Sequence, residues 1–177
     1  MDQGIEGLAN FWKGKKVLIT GHTGFKGSWL TSILLQLGAE IRGISNGIPN
    51  QPSIYELLGL DTKIDSVILD IRDETALINA IDSYRPDILF HMAAQPLVRY
   101  SYRNPIETYS TNVMGTLNVL ESIRKSNIKS SVLITTDKVY QNKEWNWSYR
   151  ENEALGGKDP YSSSKACCEI LINSYRQ

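Results

Sequence analysis

One stretch limits the fold more than any other. Thr20-Gly21-His22-Thr23-Gly24-Phe25-Lys26-Gly27 follows the apolar run Lys16-Val17-Leu18-Ile19 and opens a segment with helical spacing. A buried strand, a glycine-rich turn and a helix are the context that binding of a dinucleotide demands. Gly21 permits the tight turn, Gly24 lets the backbone approach a pyrophosphate, and Gly27 lets helix and strand pack closely. The helix N-terminus would turn free N–H groups and the positive end of its dipole toward the phosphates. His22, in the turn, stands where it would touch phosphate or ribose. A turn that uses glycine for geometry alone has the same residues, so the motif needs companions. No Gly-x-x-x-x-Gly-Lys-Ser/Thr pattern occurs, which excludes a P-loop.

The rest of the chain alternates strand and helix. Strands are predicted at residues 16–20, 40–44, 66–69, 87–91 and 131–135. Helices are predicted at 25–37, with Gly38 closing the first, at 73–84, at 106–125 and from Pro160, with Asp159 as N-cap. Residues 45–65 read as irregular with one helical turn near Tyr55, and residues 95–105 and 140–158 read as loops. This order predicts an α/β fold, a doubly wound Rossmann-type parallel sheet with helices on both faces.

Composition removes several classes of function. Lys plus Arg equals Asp plus Glu at 19 each, so the net charge is zero and nothing points to nucleic acid or an acidic membrane. No segment approaches the length of a membrane span. Residues 1–16 carry charges without a long apolar run, so no signal peptide is expected and the expected location is cytoplasmic. The only cysteines are the neighbours Cys167 and Cys168, read as free thiols of a reducing compartment. Two cysteines do not make a zinc site, and no metal is expected.

A second constellation carries chemistry. Tyr161 and Lys165 are spaced i, i+4 on one helix face. A phenol with a pKa of about 10 is a poor base at neutral pH. A nearby ammonium and a nicotinamide cation would favour the phenolate, which then takes a proton from a sugar hydroxyl. Thr135-Thr136-Asp137-Lys138 ends the fifth strand, at the sheet edge where doubly wound folds bind ligands. Thr136 would hold the same hydroxyl and Asp137 would move a proton. Asp70-Ile71 follows the third strand, where Asp70 would either meet the adenine edge or form the turn. The second strand ends without the Asp or Glu that binds adenosine ribose; Arg42, Ser45 and Asn46 occupy that region, and Arg42 would either suit a 2′-phosphate or stand as a solvated strand residue. Trp145, Trp147, Tyr149, Tyr100 and Tyr102 would either stack on a base or pack the loops.

These residues, with His91-Met92-Ala93-Ala94-Gln95 and Thr111-Asn112-Val113-Met114-Gly115-Thr116, resemble the extended short-chain dehydrogenases. Residues 21–30, Ala94-Gln95-Pro96-Leu97-Val98-Arg99, Thr136-Asp137-Lys138 and the segment from Glu144 to Glu151 are similar to the CDP-glucose 4,6-dehydratases among them. The resemblance runs from Phe11 to the last residue. It implies NAD as cofactor, CDP-glucose as substrate and a homodimer formed through the helices from Ile106 and Pro160. It implies cofactor contacts from Gly21, His22, Thr23, Gly24, Phe25, Lys26, Gly27, Asp70, Ile71, Ala93, Ala94, Gln95, Tyr161 and Lys165. Tyr161 and Lys165 would drive oxidation at C4 with Thr136. Asp137 would protonate the leaving hydroxyl at C6, and hydride would return to C6. The dTDP-sugar branch has Glu, its C5 base, where this chain has Lys138; a lysine acts as base only when burial or positive charge lowers its pKa. The C5 base therefore stays open. Family members continue well past the catalytic helix. Residues 1–177 are therefore expected to form an incomplete dinucleotide-binding domain without a substrate domain, with little activity alone. A nucleotide-sugar 4-epimerase and a non-catalytic dinucleotide-binding module share many of these residues and stand as alternatives.

Overall fold

β1 (Lys16–Thr20) directs Val17 and Ile19 into one core and Leu18 into another, and all three are fully buried. A strand buried on both faces needs a layer of helices on each side. The computed structural model describes residues 3–176 and supplies both layers. β2 (Glu40–Ser45), β3 (Asp65–Ile68), β4 (Ile88–His91) and β5 (Ser130–Leu133) join β1 in one parallel sheet of order β3-β2-β1-β4-β5. The helices in chain order are α1 (Gln3–Trp12), α2 (Phe25–Gln36), α3 (Ile54–Leu57), α4 (Glu74–Tyr84), α5 (Val98–Arg103), α6 (Pro105–Tyr109), α7 (Gly115–Lys125) and α8 (Pro160–Tyr175).

Val17, Ile19, Leu34, Ala39 and Ile41 form the core on the side of α1 and α2. Leu18, Ile44, Leu77, Ile81, Leu89 and Val119 form the core on the side of α4 and α7. α8 packs beside α7 through Leu120, Cys168 and Ile172. Local sequence explains the helix starts. Asp73 accepts the N–H of Ala76 to open α4, and Asp159 accepts the N–H of Ser162 ahead of Pro160 to open α8.

Four features differ from the sequence reading. α1 is a helix that the pattern hides, because its mostly exposed length is anchored through Trp12 on Phe90, with ring centroids 6.2 Å apart. The segment 95–105 contains α5, whose buried Ser101 accepts the N–H of Tyr161 at 3.1 Å. The helix 106–125 is broken by a π turn at Ser110–Met114. β5 ends at Leu133, and its last ladder bond runs from Ile134 N to His91 O at 3.0 Å. Among the described residues no helix is long and apolar enough to cross a membrane.

Gly43 on β2 is required by His22. A Cβ at Gly43 would lie 2.3 Å from His22 Cγ, and the ring is wedged against Tyr55 on the far side, 5.2 Å between centroids. Gly43→Ala should destabilise the fold by about 1–3 kcal/mol through overpacking. Chemical unfolding of the single variant and of the Gly43→Ala, His22→Ala pair checks this. The pair should lose less than the sum of its parts, because removing the ring opens the space that the new methyl needs.

Candidate active site

A cleft of about 410 Å³ opens at the carboxyl ends of all five strands. Its floor is backbone. A Cβ on Gly21 would come within 2.7 Å of Ala93 N, and one on Gly27 within 2.1 Å of Gly21 O. Gly21 itself holds a φ of 77°, which glycine adopts without strain. Gly24 caps α2 without any side-chain hydrogen bond, so the first N–H groups of α2 have no side-chain partner beside the cleft. Thr23, Phe25, Lys26, Asp70, Ile71, Ala93 and Ala94 also line it, as the sequence suggested. A glycine cradle under a bare helix start fits a pyrophosphate.

The end of β2 brings Ser45, Asn46 and Gly47 to the cleft and no carboxylate. Thr23 and Ser45 both donate to Gly47 O, at 2.6 and 2.9 Å, which fixes this wall. The Asp70 carboxylate is held by Arg72, whose guanidinium hydrogen bond keeps it below the usual carboxylate range.

Tyr161 and Lys165 face the cleft from α8. Lys165 is 5% exposed and donates one of its three protons to Ile134 O at 3.1 Å. Burial lowers its pKa. Burial raises the pKa of the Tyr161 phenol; the Thr136 hydroxyl opposes this by hydrogen bonding, while Asp137 adds to it. The phenol is therefore the form favoured in the protein alone. Thr136, Asp137 and Lys138 lie beside the cleft rather than in its lining. Thr136 caps the 3₁₀ turn Asp137–Val139, and Asp137 and Lys138 are exposed.

Three expected contacts fail on geometry. The His22 ring is fully buried and points to Ser66, with Nε2 to Ser66 Oγ 2.8 Å, so it does not face the phosphates. The Gln95 side chain turns into the protein, donating to Thr108 and accepting from Leu97 N. The Arg42 guanidinium lies over Tyr84, binds Asp65, Ala80 O and Ser83, and does not line the cleft, so it is not placed for a 2′-phosphate. The aromatic residues of the segment after β5 pack on one another: Trp145 stacks on Trp147 at 4.9 Å, and Tyr140 on Tyr149 at 5.3 Å. Tyr100 and Tyr102 lie on α5 rather than in a loop.

The model of the family described as GDP-mannose 4,6 dehydratase matches residues 18–177. The chain belongs to this family. It is 55% identical over 94% of its length to a CDP-glucose 4,6-dehydratase of Salmonella typhimurium, of which it covers 47%. It is 35% identical over 90% of its length to a CDP-paratose 2-epimerase of Salmonella typhi, of which it covers 52%. Among solved structures, an epimerase of Methanothermobacter thermautotrophicus superposes with a TM-score of 0.83 over 98% of this chain and 51% of that one, at 26% identity. A Thermus thermophilus UDP-glucose 4-epimerase in complex with NAD gives 0.78 over 90% and 50%, at 27% identity. The chain thus spans about half the length of the relatives it matches.

This family member braces its cleft with polar groups that sequence reasoning passed over. Asn112, in the π turn, accepts Gln95 N at 2.8 Å and donates to Gln95 O and to Ser164. The π turn also leaves the Asn112 carbonyl to the Cys168 thiol at 3.1 Å. Asn112 stands inside the segment 111–116 that carries the resemblance, which was the available signal. Thr20 Oγ1 accepts the N–H groups of Met92 and Ala93 at 3.2 Å each. Its own proton therefore goes to His91 Nδ1 at 2.7 Å, and Nε2 carries the ring proton to Thr116 at 3.0 Å.

His91 is thereby a buried, neutral link between the cleft floor and α7. Burial, with the nearby Lys165 charge, takes its pKa from 6.5 to about 3. The unfolded chain binds this proton below pH 6.5 and the native state does not, so stability falls as pH drops through the window from 6.5 toward 3. Urea midpoints at pH 6.5 and pH 5 should differ by up to about 2 kcal/mol of stability from this one group. His91→Gln should flatten that difference.

Proposed function

We propose that this chain is the cofactor-binding and catalytic half of a nucleotide-sugar 4,6-dehydratase acting on CDP-glucose. The observation that carries the reading is that Tyr161 and Lys165 face the same cleft as the glycine turn. The 55% identity to a CDP-glucose 4,6-dehydratase supports CDP-glucose as the sugar nucleotide. NAD is the proposed cofactor, in keeping with the NAD complex of the Thermus relative, and when bound it would accept and return hydride. The glycine turn and the start of α2 would hold its pyrophosphate, and Asp70-Ile71 the adenine edge. Lys165 has protons left after Ile134 to bind ribose hydroxyls.

In this reading Tyr161 takes the proton of the C4 hydroxyl while Thr136, beside it, holds the same oxygen. Oxidation at C4 makes the C5 proton acidic. Asp137 gives a proton to the C6 hydroxyl as it leaves. Lys138 is exposed, the opposite of the burial that turns a lysine into a base, so its position does not favour it as the C5 base. Exposed Ile106 and Ile170 support a homodimer through the helical face of α6, α7 and α8. The free thiols Cys167 and Cys168 suit a reducing cytoplasm.

The full-length protein given CDP-glucose and NAD should form a 4-keto-6-deoxy sugar, read by its ultraviolet absorbance in alkali. An epimer in its place would overturn the dehydratase reading in favour of the epimerase. Tyr161→Phe should reduce turnover by about 10²–10⁴-fold, the range for lost acid–base catalysis, while cofactor binding by calorimetry persists. Residues 1–177 alone should show little or no turnover.

A further inference from the structure

The β4–β5 ladder ends at Ile134, whose N–H donates to His91 O. The 3₁₀ turn begins at Asp137. Thr135 and Thr136 bridge the gap with no ladder bond, yet they stand at the cleft wall and beside the Tyr161 phenol. Two groups of α8 reach across to this unpaired stretch. Lys165 Nζ donates to Ile134 O, and one helical turn later the Glu169 carboxylate accepts the Thr135 hydroxyl. Spacing i, i+4 puts both on the face that meets the end of β5.

Glu169 has no role in the chemistry described so far. It is half-buried, it does not line the cleft, and no lysine or arginine among the described residues forms an ion pair with it. A half-buried carboxylate is costly unless its lone pairs are used. Here its hydrogen-bond partner is a hydroxyl one residue from Thr136. Its charge also favours the protonated form of Lys165, against the opposing effect of burial.

We propose that Glu169 is a positioning residue, which through Thr135 holds Thr136 and Asp137 in register with Tyr161 and Lys165. The proposal rests on the dehydratase reading for its kinetic consequence, and on geometry alone for its structural one. Thr135 and Glu169 act as one unit: either loss frees the same two residues. A displacement of about 1 Å at reacting groups costs on the order of 10²-fold in rate.

The test uses the full-length protein. Glu169→Ala and Thr135→Val should each lower kcat for CDP-glucose by about 10- to 100-fold, with KM changed by no more than about threefold. The double variant should be no worse than the poorer single. Glu169→Gln, which keeps an acceptor oxygen, should recover most of the rate. Wild-type kcat in Thr135→Val, additive losses, or a raised KM at unchanged kcat would each overturn the proposal. Hydrogen exchange on cofactor-free protein gives a readout independent of turnover. The amides of Lys138, Val139 and Tyr140, which are bonded to Thr136 and Asp137, should exchange faster in Thr135→Val and in Glu169→Ala and return to the wild-type rate in Glu169→Gln, while those of β1 stay unchanged. Unaltered exchange at 138–140 in Thr135→Val overturns the proposal even if the substrate assignment is wrong. A wild-type protein inert toward CDP-glucose, with exchange altered as described, sinks the substrate reading and keeps the positioning role.

Discussion

The exits of β1 and β4 lie closer together than a side chain allows. Gly21 has Ala93 N within 2.7 Å of where a Cβ would stand, and Thr20 ties both Met92 N and Ala93 N with a single oxygen. This contact sits at the point where the sheet order reverses direction, between β1 and its neighbours β2 and β4. A crevice must open there, because successive helices leave to opposite faces. The glycines remove the atoms that would otherwise fill the crevice, and the start of α2 then faces it without a side-chain cap. The cofactor cradle is in this sense a consequence of strand packing.

The same contact passes order outward. Thr20 gives its proton to His91, His91 donates to Thr116, and the Cys168 thiol reaches Asn112 O and Thr116. These groups belong to β1, β4, the helix from α6 to α7, and α8. All are buried, where an unpaired polar group costs more than a paired one returns. The chain of bonds therefore fixes α8 against the sheet with one geometry, and Tyr161 and Lys165 ride on that helix.

The parallel sheet and the helices on both its faces were legible because strand patterns and glycine punctuation are local; the order of the strands came only with the structure. The start of α8 was legible for the same reason, in Asp159-Pro160. Tyr161 and Lys165 were legible by spacing. What sequence misplaced depends on partners distant in the chain. His22 reads as a phosphate contact until Gly43 and Tyr55, on other elements, are seen to enclose it. Gln95 reads as a cleft residue until Thr108 and Leu97 are seen to hold its side chain. Arg42 reads as a free cation until Asp65 and Tyr84 are in place. The end of β5 was read two residues too long because Ile134 and Thr135 are both β-branched, while the strand's last backbone partner is spent at Ile134. Glu169 carries the spacing of Tyr161 and Lys165 continued by one more turn, a signal with meaning only once β5 is known to lie opposite.

Electrostatics then separates a poised site from an active one. Burial raises the Tyr161 pKa and lowers that of Lys165, so burial alone pushes both toward their neutral forms. A neutral phenol takes no proton from a sugar. A ligand with positive charge bound in the cleft would reverse the balance at Tyr161 directly, since the phenol faces the same space. Asp137, which opposes the phenolate, sits exposed at the rim, where solvent screens it unless substrate covers it. Coverage by substrate strengthens every charge inside at once. On the proposed reading, a cationic cofactor bound in the cleft is what would make Tyr161 a base.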